Sequence, residues 1–80
     1  GWVQENGQWK YKMGDGTYKN NGWLADQGKW YYLGQDGVMY AGRWIQEGEW
    51  WYYLGADGAM MTDTVTPDGY RVNASGVWEQ

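Results

Sequence analysis

The chain has 80 residues, a length that allows one small domain with a marginal hydrophobic core. It contains no Cys or His, which excludes disulfides and thiolate metal sites and removes the commonest general base, whereas eight Trp and eight Tyr are present. A net charge of −4 argues against a nucleic-acid partner, and no apolar run is long enough for membrane insertion. Composition and charge therefore disfavour an enzyme, a nucleic-acid binder and a membrane protein, and we expect no metal or cofactor.

Tryptophans recur along the chain in a regular step. Trp2, Trp23 and Trp44 follow one another at a constant step of 21. The same step separates Trp9, Trp30 and Trp51, and also the turn pairs Asp15-Gly16, Asp36-Gly37 and Asp57-Gly58. This pattern predicts a single repeat module over 1–80, with repeats at about 1–21, 22–41 and 42–61 and a cap over 62–80.

Within each repeat the aromatic residues alternate with a period of two, which indicates strands. Asn6-Gly7 and Gln27-Gly28 are typical of two-residue hairpin turns, because glycine and asparagine tolerate a positive φ. A turn at Gln27-Gly28 pairs Trp23 with Tyr32. Alternation then gives two faces, one with Trp23, Trp30 and Tyr32 and one with Leu24, Tyr31 and Leu33.

The third repeat carries its turn glycine in Glu47-Gly48, and this placement predicts that Trp44 lies opposite Trp51. We assign Tyr31 and Tyr52, together with Leu33 and Leu54, to the inner core. Met39 and Met60 fit two roles equally well, filling gaps between hairpins or adding a wall to a binding site.

The segment 62–80 departs from the repeat. Residues 66–70 (Thr-Pro-Asp-Gly-Tyr) replace the aromatic doublet, and the step from Gly58 to Gly76 is three shorter than the step between the earlier copies. We interpret this segment as a closing half-unit, as terminal repeats are commonly atypical. The fold expected is therefore all-β, a β-solenoid of stacked two-stranded hairpins. Asp15, Asp36 and Asp57 are interpreted as turn residues rather than metal ligands.

These residues resemble a known family. Gly22-Trp23, Trp30-Tyr31-Tyr32, Gly37 and Met39 match the Gly-Trp…Trp-Tyr-Tyr…Gly-x-Met signature of choline-binding (cell-wall-binding) repeats, as found in autolysins and phage lysins of Gram-positive bacteria. The resemblance covers residues 1–62. It implies a left-handed stack of hairpins with ligands held between consecutive ones. The sequence departs from the pattern at Lys10, Tyr18, Arg43 and Trp50.

The resemblance implies an extracellular module, cell-wall associated or phage-borne, that binds choline or phosphocholine of wall teichoic and lipoteichoic acids. The alternative is a glycan-binding module that stacks sugar rings on the same tryptophans. We expect the chain, which opens on Gly1, to be a fragment of a longer protein. The sequence is compatible with a homodimer and does not determine the oligomeric state.

Three ligand sites are predicted from the face assignment, each closed by a ring of the following repeat. The last is expected to be distorted or weaker because of the shortened cap. The first site uses Trp2, Trp9, Tyr32 and Met39; the middle site uses Trp23, Trp30, Tyr53 and Met60; the third uses Trp44, Trp51 and Tyr70.

Overall fold

A computed structural model describes residues 1–80, and all of its regular structure is β. Eight strands form four antiparallel two-stranded sheets, and each sheet joins two strands that are adjacent in the chain. No helix long and apolar enough to cross a bilayer occurs in the structure. The all-β prediction is confirmed. The strands are β1 Trp2–Glu5, β2 Gln8–Tyr11, β3 Gly22–Asp26, β4 Lys29–Leu33, β5 Arg43–Glu47, β6 Trp50–Leu54, β7 Thr64–Val65 and β8 Arg71–Val72.

The chain divides into two compact units, Gly1–Tyr40 and Ala41–Gln80. The first unit contains the hairpins β1–β2 and β3–β4, and the second contains β5–β6 and β7–β8.

The turns at the hairpin tips fix the strand register. Asn6 and Gly7 have φ values of 54° and 77°, and Gln27 and Gly28 have 50° and 80°, as a type I′ turn requires. Trp23 accordingly pairs with Tyr32, and Ala25 with Trp30, as predicted.

The third hairpin turns one residue later than predicted. Its central residues are Gly48 and Glu49, and only Gly48 has a positive φ, 60°, as in a type II′ turn with glycine first. Trp44 therefore pairs with Tyr53, and Gln46 with Trp51, so the predicted pairing of Trp44 with Trp51 is wrong. Moving the turn by one residue changes the partner by two, so the faces stay as predicted.

The turns that follow each hairpin are held by a side chain. Asp15, Asp36 and Asp57 each accept a hydrogen bond at 3.0 Å from the backbone N–H two residues on. In the last turn Asn73, two residues earlier in the turn than these aspartates, accepts from the backbone N–H groups of Ser75 at 2.9 Å and Val77 at 3.0 Å. The prediction that the three aspartates are turn residues is confirmed.

Fully buried side chains occur at one position of the repeat, where Leu33, Leu54 and Val72 have no exposed surface. Each of the three forms a β-bridge to the tail that follows, with Met39, Met60 and Trp78 respectively. Leu33 and Leu54 are core residues as predicted, whereas Tyr31 and Tyr52 are only half-buried.

Residues 62–80 contain a short fourth hairpin. Thr64 pairs with Val72 and Val65 with Arg71, and the tail returns to the bridge between Val72 and Trp78. The three missing residues are therefore taken from the hairpin tip, and Val72 keeps the buried position of Leu54.

Candidate ligand-binding site

An aromatic cleft of about 220 Å³ lies in the second unit, and we call it the C-terminal cleft. Trp44, Trp51, Tyr70 and Trp78 line it. The Trp44 ring centroid is 6.0 Å from that of Tyr70 and 6.5 Å from that of Trp78, and the latter two are 5.8 Å apart. These three pairs of ring planes meet at 79°, 63° and 87°, so the rings stand as walls at steep angles to one another.

The strand pairing places two of these walls. Trp44 on β5 is opposite Tyr53, and Trp51 on β6 is opposite Gln46, so the two tryptophans lie diagonally on one face of the hairpin. Tyr53 packs edge-on against Trp44 with 5.0 Å between centroids and is itself buried. This contact supports the Trp44 ring from the strand beside it.

The fourth hairpin and its tail supply the other two walls. Tyr70 immediately precedes β8, and its approach to Trp44 was predicted and is found. Trp78 is held by its backbone N–H, which donates to the carbonyl of Trp51 at 2.9 Å. Sequence reasoning missed Trp78 as a wall. The signal was present, since the step from Met60 to Trp78 equals the step from Gly58 to Gly76.

A carboxylate adjoins the C-terminal cleft. Asp68 accepts a hydrogen bond of 2.9 Å from the indole Nε1–H of Trp44 and another from the hydroxyl of Thr66. These two donors, Thr66 first, lower the pKa of Asp68 because both stabilise its charged form. The edge of the Trp44 ring therefore faces a negative charge at neutral pH.

The first unit has a similar arrangement around Trp2. The ring of Tyr31 lies 5.0 Å from that of Trp2 at an angle of 70°, and the Nε1–H of Trp2 donates to Asp26 at 3.1 Å. Trp9 is 43% exposed, and its carbonyl accepts a 2.8 Å hydrogen bond from the backbone N–H of Met39. Met39 thus lies beside Trp9, at the place that Trp78 takes beside Trp51 in the second unit, and the ligand site itself stays a prediction.

The tyrosine found against Trp2 differs from the predicted one. Tyr32 was expected there, but its ring packs on Trp23 at 5.3 Å and stacks on Tyr40 at 5.1 Å. The reason is geometrical. The second hairpin turns its own tryptophan face away and presents the opposite face to Trp2, and Tyr31 belongs to that face. Tyr70 follows Tyr52 by the shortened step of the cap and contacts Trp44 in the corresponding way.

The middle predicted site draws its residues from both units and stays a prediction. In the first unit the ring centroids of Trp23 and Trp30 are 6.4 Å apart, and their ring planes meet at 89°. In the second unit, the Met60 thioether lies over Gly76, where a β-carbon would come within 2.7 Å of its sulfur. This contact favours packing as one role of Met60.

The departures from the repeat in the first hairpin form a polar cluster. The hydroxyl of Tyr18 donates to Glu5 at 2.5 Å, and the ammonium of Lys10 lies 5.5 Å from the Tyr18 ring centroid and 3.7 Å from Glu5. The hydrogen bond lowers the pKa of Glu5 and raises the pKa of Tyr18. In this cluster a lysine of the chain itself is the cation over a ring.

Two family descriptions match the sequence. The choline-binding repeat matches residues 39–78, and the cell wall binding repeat matches residues 21–39. No curated protein matches the chain in sequence.

Solved structures match the fold over the whole chain. The choline binding domain of Spr1274 from Streptococcus pneumoniae has 42% identity and a TM-score of 0.88, and the match covers 100% of this chain and 94% of that domain. Choline binding protein F of the same organism has 40% identity and a TM-score of 0.84, with 100% of this chain and 26% of that protein covered. The Cpl-1 endolysin of phage Cp-1 has 29% identity and a TM-score of 0.91, and the match covers 100% of this chain and 24% of the endolysin.

The present chain thus spans nearly all of the pneumococcal domain but only about a quarter of the two larger proteins. The two family matches together cover residues 21–78, which lie in both units. The chain belongs to the family of choline-binding, cell-wall-binding repeats.

Proposed function

We propose that the chain is a non-catalytic wall-binding module that holds the choline groups of teichoic acids in aromatic cages by cation–π contacts. The observation that carries the proposal is the C-terminal cleft, in which three indoles and one phenol stand around a volume of about 220 Å³. A quaternary ammonium has no N–H to donate, so the faces of aromatic rings are its natural partners.

The ring angles favour a cage over a flat platform. A sugar ring stacks on one exposed face, whereas a trimethylammonium group gains from rings on several sides. Each good contact contributes about 0.5–2 kcal/mol, and after the cost of ordering this corresponds to a dissociation constant of roughly millimolar. Several such sites on one polymer raise the overall affinity through effective concentration.

The relatives support the ligand class and the location. One solved structure of the Cpl-1 endolysin is a complex with choline, and one crystal structure of choline binding protein F was obtained in the presence of a peptidoglycan analogue. We propose an extracellular, wall-associated or phage-borne location on the same ground. We also propose, from the repeat pattern, that the hairpins stack into a β-solenoid and that residues 62–80 cap it.

Retention on a tertiary-amine resin tests the ligand class. We expect the protein to bind the resin, to elute with free choline and to stay bound when soluble glucan is applied. Elution by glucan with no response to choline would replace the choline assignment with the glycan alternative.

Two adjacent tryptophans test the cleft. Trp51 lines it, whereas Trp50 is 54% exposed and points to the other side of β6. Trp51→Ala should weaken choline binding to the second unit at least several-fold in a calorimetric titration, and Trp50→Ala should leave it unchanged. Equal losses in both variants would contradict the assignment of the site.

A further inference from the structure

The same hydrogen bond occurs in both units. The first tryptophan of a hairpin donates its indole N–H to a carboxylate further along the chain at the same sequence separation, Trp2 to Asp26 at 3.1 Å and Trp44 to Asp68 at 2.9 Å. Asp26 ends a strand and Asp68 lies in a shortened loop, so the bond is kept although the local backbone differs.

In the second unit this carboxylate connects two walls of the C-terminal cleft. Asp68 accepts from Trp44 with one oxygen and from the Thr66 hydroxyl with the other. The hydroxyl oxygen of Thr66, which is buried, in turn accepts the backbone N–H of Tyr70 at 3.2 Å. One chain of hydrogen bonds therefore runs from the Trp44 ring to the residue that carries the opposite ring.

We infer that Asp68, and Asp26 in the first unit, are positioning residues that also make the cage selective for a cation. This inference rests on the proposed function. Hydrogen bonds to an ionised carboxylate are stronger than neutral ones, so the indole is held in one orientation. The hydrogen bond from the N–H to the carboxylate also increases the electron density of the indole ring. The carboxylate itself adds negative potential beside the ligand.

The charge acts over a short distance. A cation centred over the Trp44 ring at the usual cation–π separation lies on the order of 7 Å from a carboxylate bonded to the ring edge. At the dielectric of water the attraction changes the dissociation constant by about threefold, and by more where the rings exclude water. The lowered pKa of Asp68 keeps this charge present in mildly acidic solution.

A pair of ligands separates orientation from charge. Choline and its neutral isostere 3,3-dimethylbutan-1-ol have almost the same shape. Asp68→Asn keeps an acceptor for Trp44 if its amide oxygen faces the indole and its NH₂ donates to Thr66. Asp68→Ala removes both bonds. Asp57→Asn is the matched control, since it changes the net charge equally, its side chain serves a turn, and it does not line the cleft.

The titrations are run on the whole chain by calorimetry, with the indole N–H signals followed by NMR. We expect Asp68→Asn to raise the dissociation constant for choline about threefold or more and to leave the isostere unchanged. Asp68→Ala should weaken both ligands and shift the Trp44 indole signal, and Asp57→Asn should change neither ligand.

Three outcomes would overturn the inference, and a fourth would refute the proposed function on which it rests. If Asp68→Asn binds choline like the wild type, the charge has no role. If it weakens both ligands equally, orientation alone matters and the cation selectivity is wrong. A wild-type protein that binds neither ligand would refute the proposed function itself, and a Trp44 signal unmoved in Asp68→Ala would refute the positioning role independently of any ligand.

Discussion

Tyr31 illustrates how a single residue is assigned to a binding wall. Its ring lies 5.0 Å from that of Trp2, and Tyr70 stands in the corresponding relation to Trp44. The position that alternation assigned to the inner core thus provides an aromatic surface beside Trp2 and beside Trp44. The contribution of Tyr31 should therefore come from its ring and not from its hydroxyl.

Substitution of Tyr31 tests this assignment in the first unit. The test uses a Trp51→Ala background, which removes a wall of the C-terminal cleft. In this background Tyr31→Ala should raise the dissociation constant for choline by roughly two- to thirtyfold, because it removes one cation–π contact. Tyr31→Phe retains the ring face and should bind as the parent does. A titration followed by tryptophan fluorescence measures both. Equal losses in Phe and Ala variants would assign the effect to the hydroxyl.

The choice between Tyr31 and Tyr32 could not be made from alternation alone. Alternation states which residues share a face of one hairpin, and it did so correctly for Trp23 and Tyr32. Which face meets the preceding hairpin depends on how two hairpins pack, and that is a tertiary property. Trp78 was missed for a related reason, because its place becomes clear only when the tail is counted from Gly76.

At the scale of the element, turn chemistry determined most of the register. Asn-Gly and Gln-Gly turns gave the correct pairing in the first two hairpins. In the third, a glycine can occupy either central position of a two-residue turn, and the sequence does not distinguish types I′ and II′ when only one glycine is present. The predicted turn was therefore displaced by one residue, and the assignment of residues to the two faces of the hairpin was unaffected.

The turn glycines allow a matched test of packing between tail and hairpin. Gly16 and Gly76 occupy corresponding turns with φ values of 88° and 83°, but a β-carbon meets open space at Gly16 and the Met60 sulfur at 2.7 Å at Gly76. Gly16→Ala should cost about 1–2 kcal/mol in unfolding free energy from backbone strain alone. Gly76→Ala should cost clearly more in urea unfolding.

The double variant Gly76→Ala with Met60→Ala isolates the clash. The free energy of unfolding of this double variant should lie below that of Met60→Ala by only the amount that Gly16→Ala costs, because the obstructing thioether is gone. A cost at Gly76 that equals the cost at Gly16 in the presence of Met60 would show that the methionine moves aside freely.

At the scale of the whole chain, ligand binding should appear as stability. Choline that binds only folded protein stabilises it by RT ln(1 + [L]/Kd), which is about 1.4 kcal/mol per site at ten times Kd. The melting temperature should rise with choline concentration, and less in Trp51→Ala. Differential scanning fluorimetry measures the shift. A melting temperature that stays flat to high choline concentration would refute the function and leave the fold untouched.

Acid should destabilise the chain through particular carboxylates. Hydrogen bonds from Tyr18, Thr17 and Thr66 are the first causes of the lowered pKa values of Glu5, Asp15 and Asp68. Groups whose pKa is lower in the folded state contribute stability above their unfolded pKa, and that contribution disappears as the pH falls through the folded pKa.

The melting temperature should therefore be nearly constant from pH 7 to about pH 5 and fall below that. Asp15→Asn, which keeps an acceptor for the Thr17 backbone N–H, should reduce the fall. A melting curve that is independent of pH down to pH 3 would show that these hydrogen bonds persist when the carboxyls are protonated.

The residue before each of the last three hairpins has a consequence for how such chains grow. Asn21, Gly42 and Asp63 recur at the full repeat step and all have positive φ. Each donates its N–H to the carbonyl of the residue that directly follows the hairpin it introduces: Gly34, Gly55 and Asn73. When the repeats are counted from this residue, each repeat thus carries its own closing bond within its own sequence. A tandem duplication of one repeat in a gene would therefore supply a complete new hairpin, and recombination can lengthen or shorten the array in whole copies.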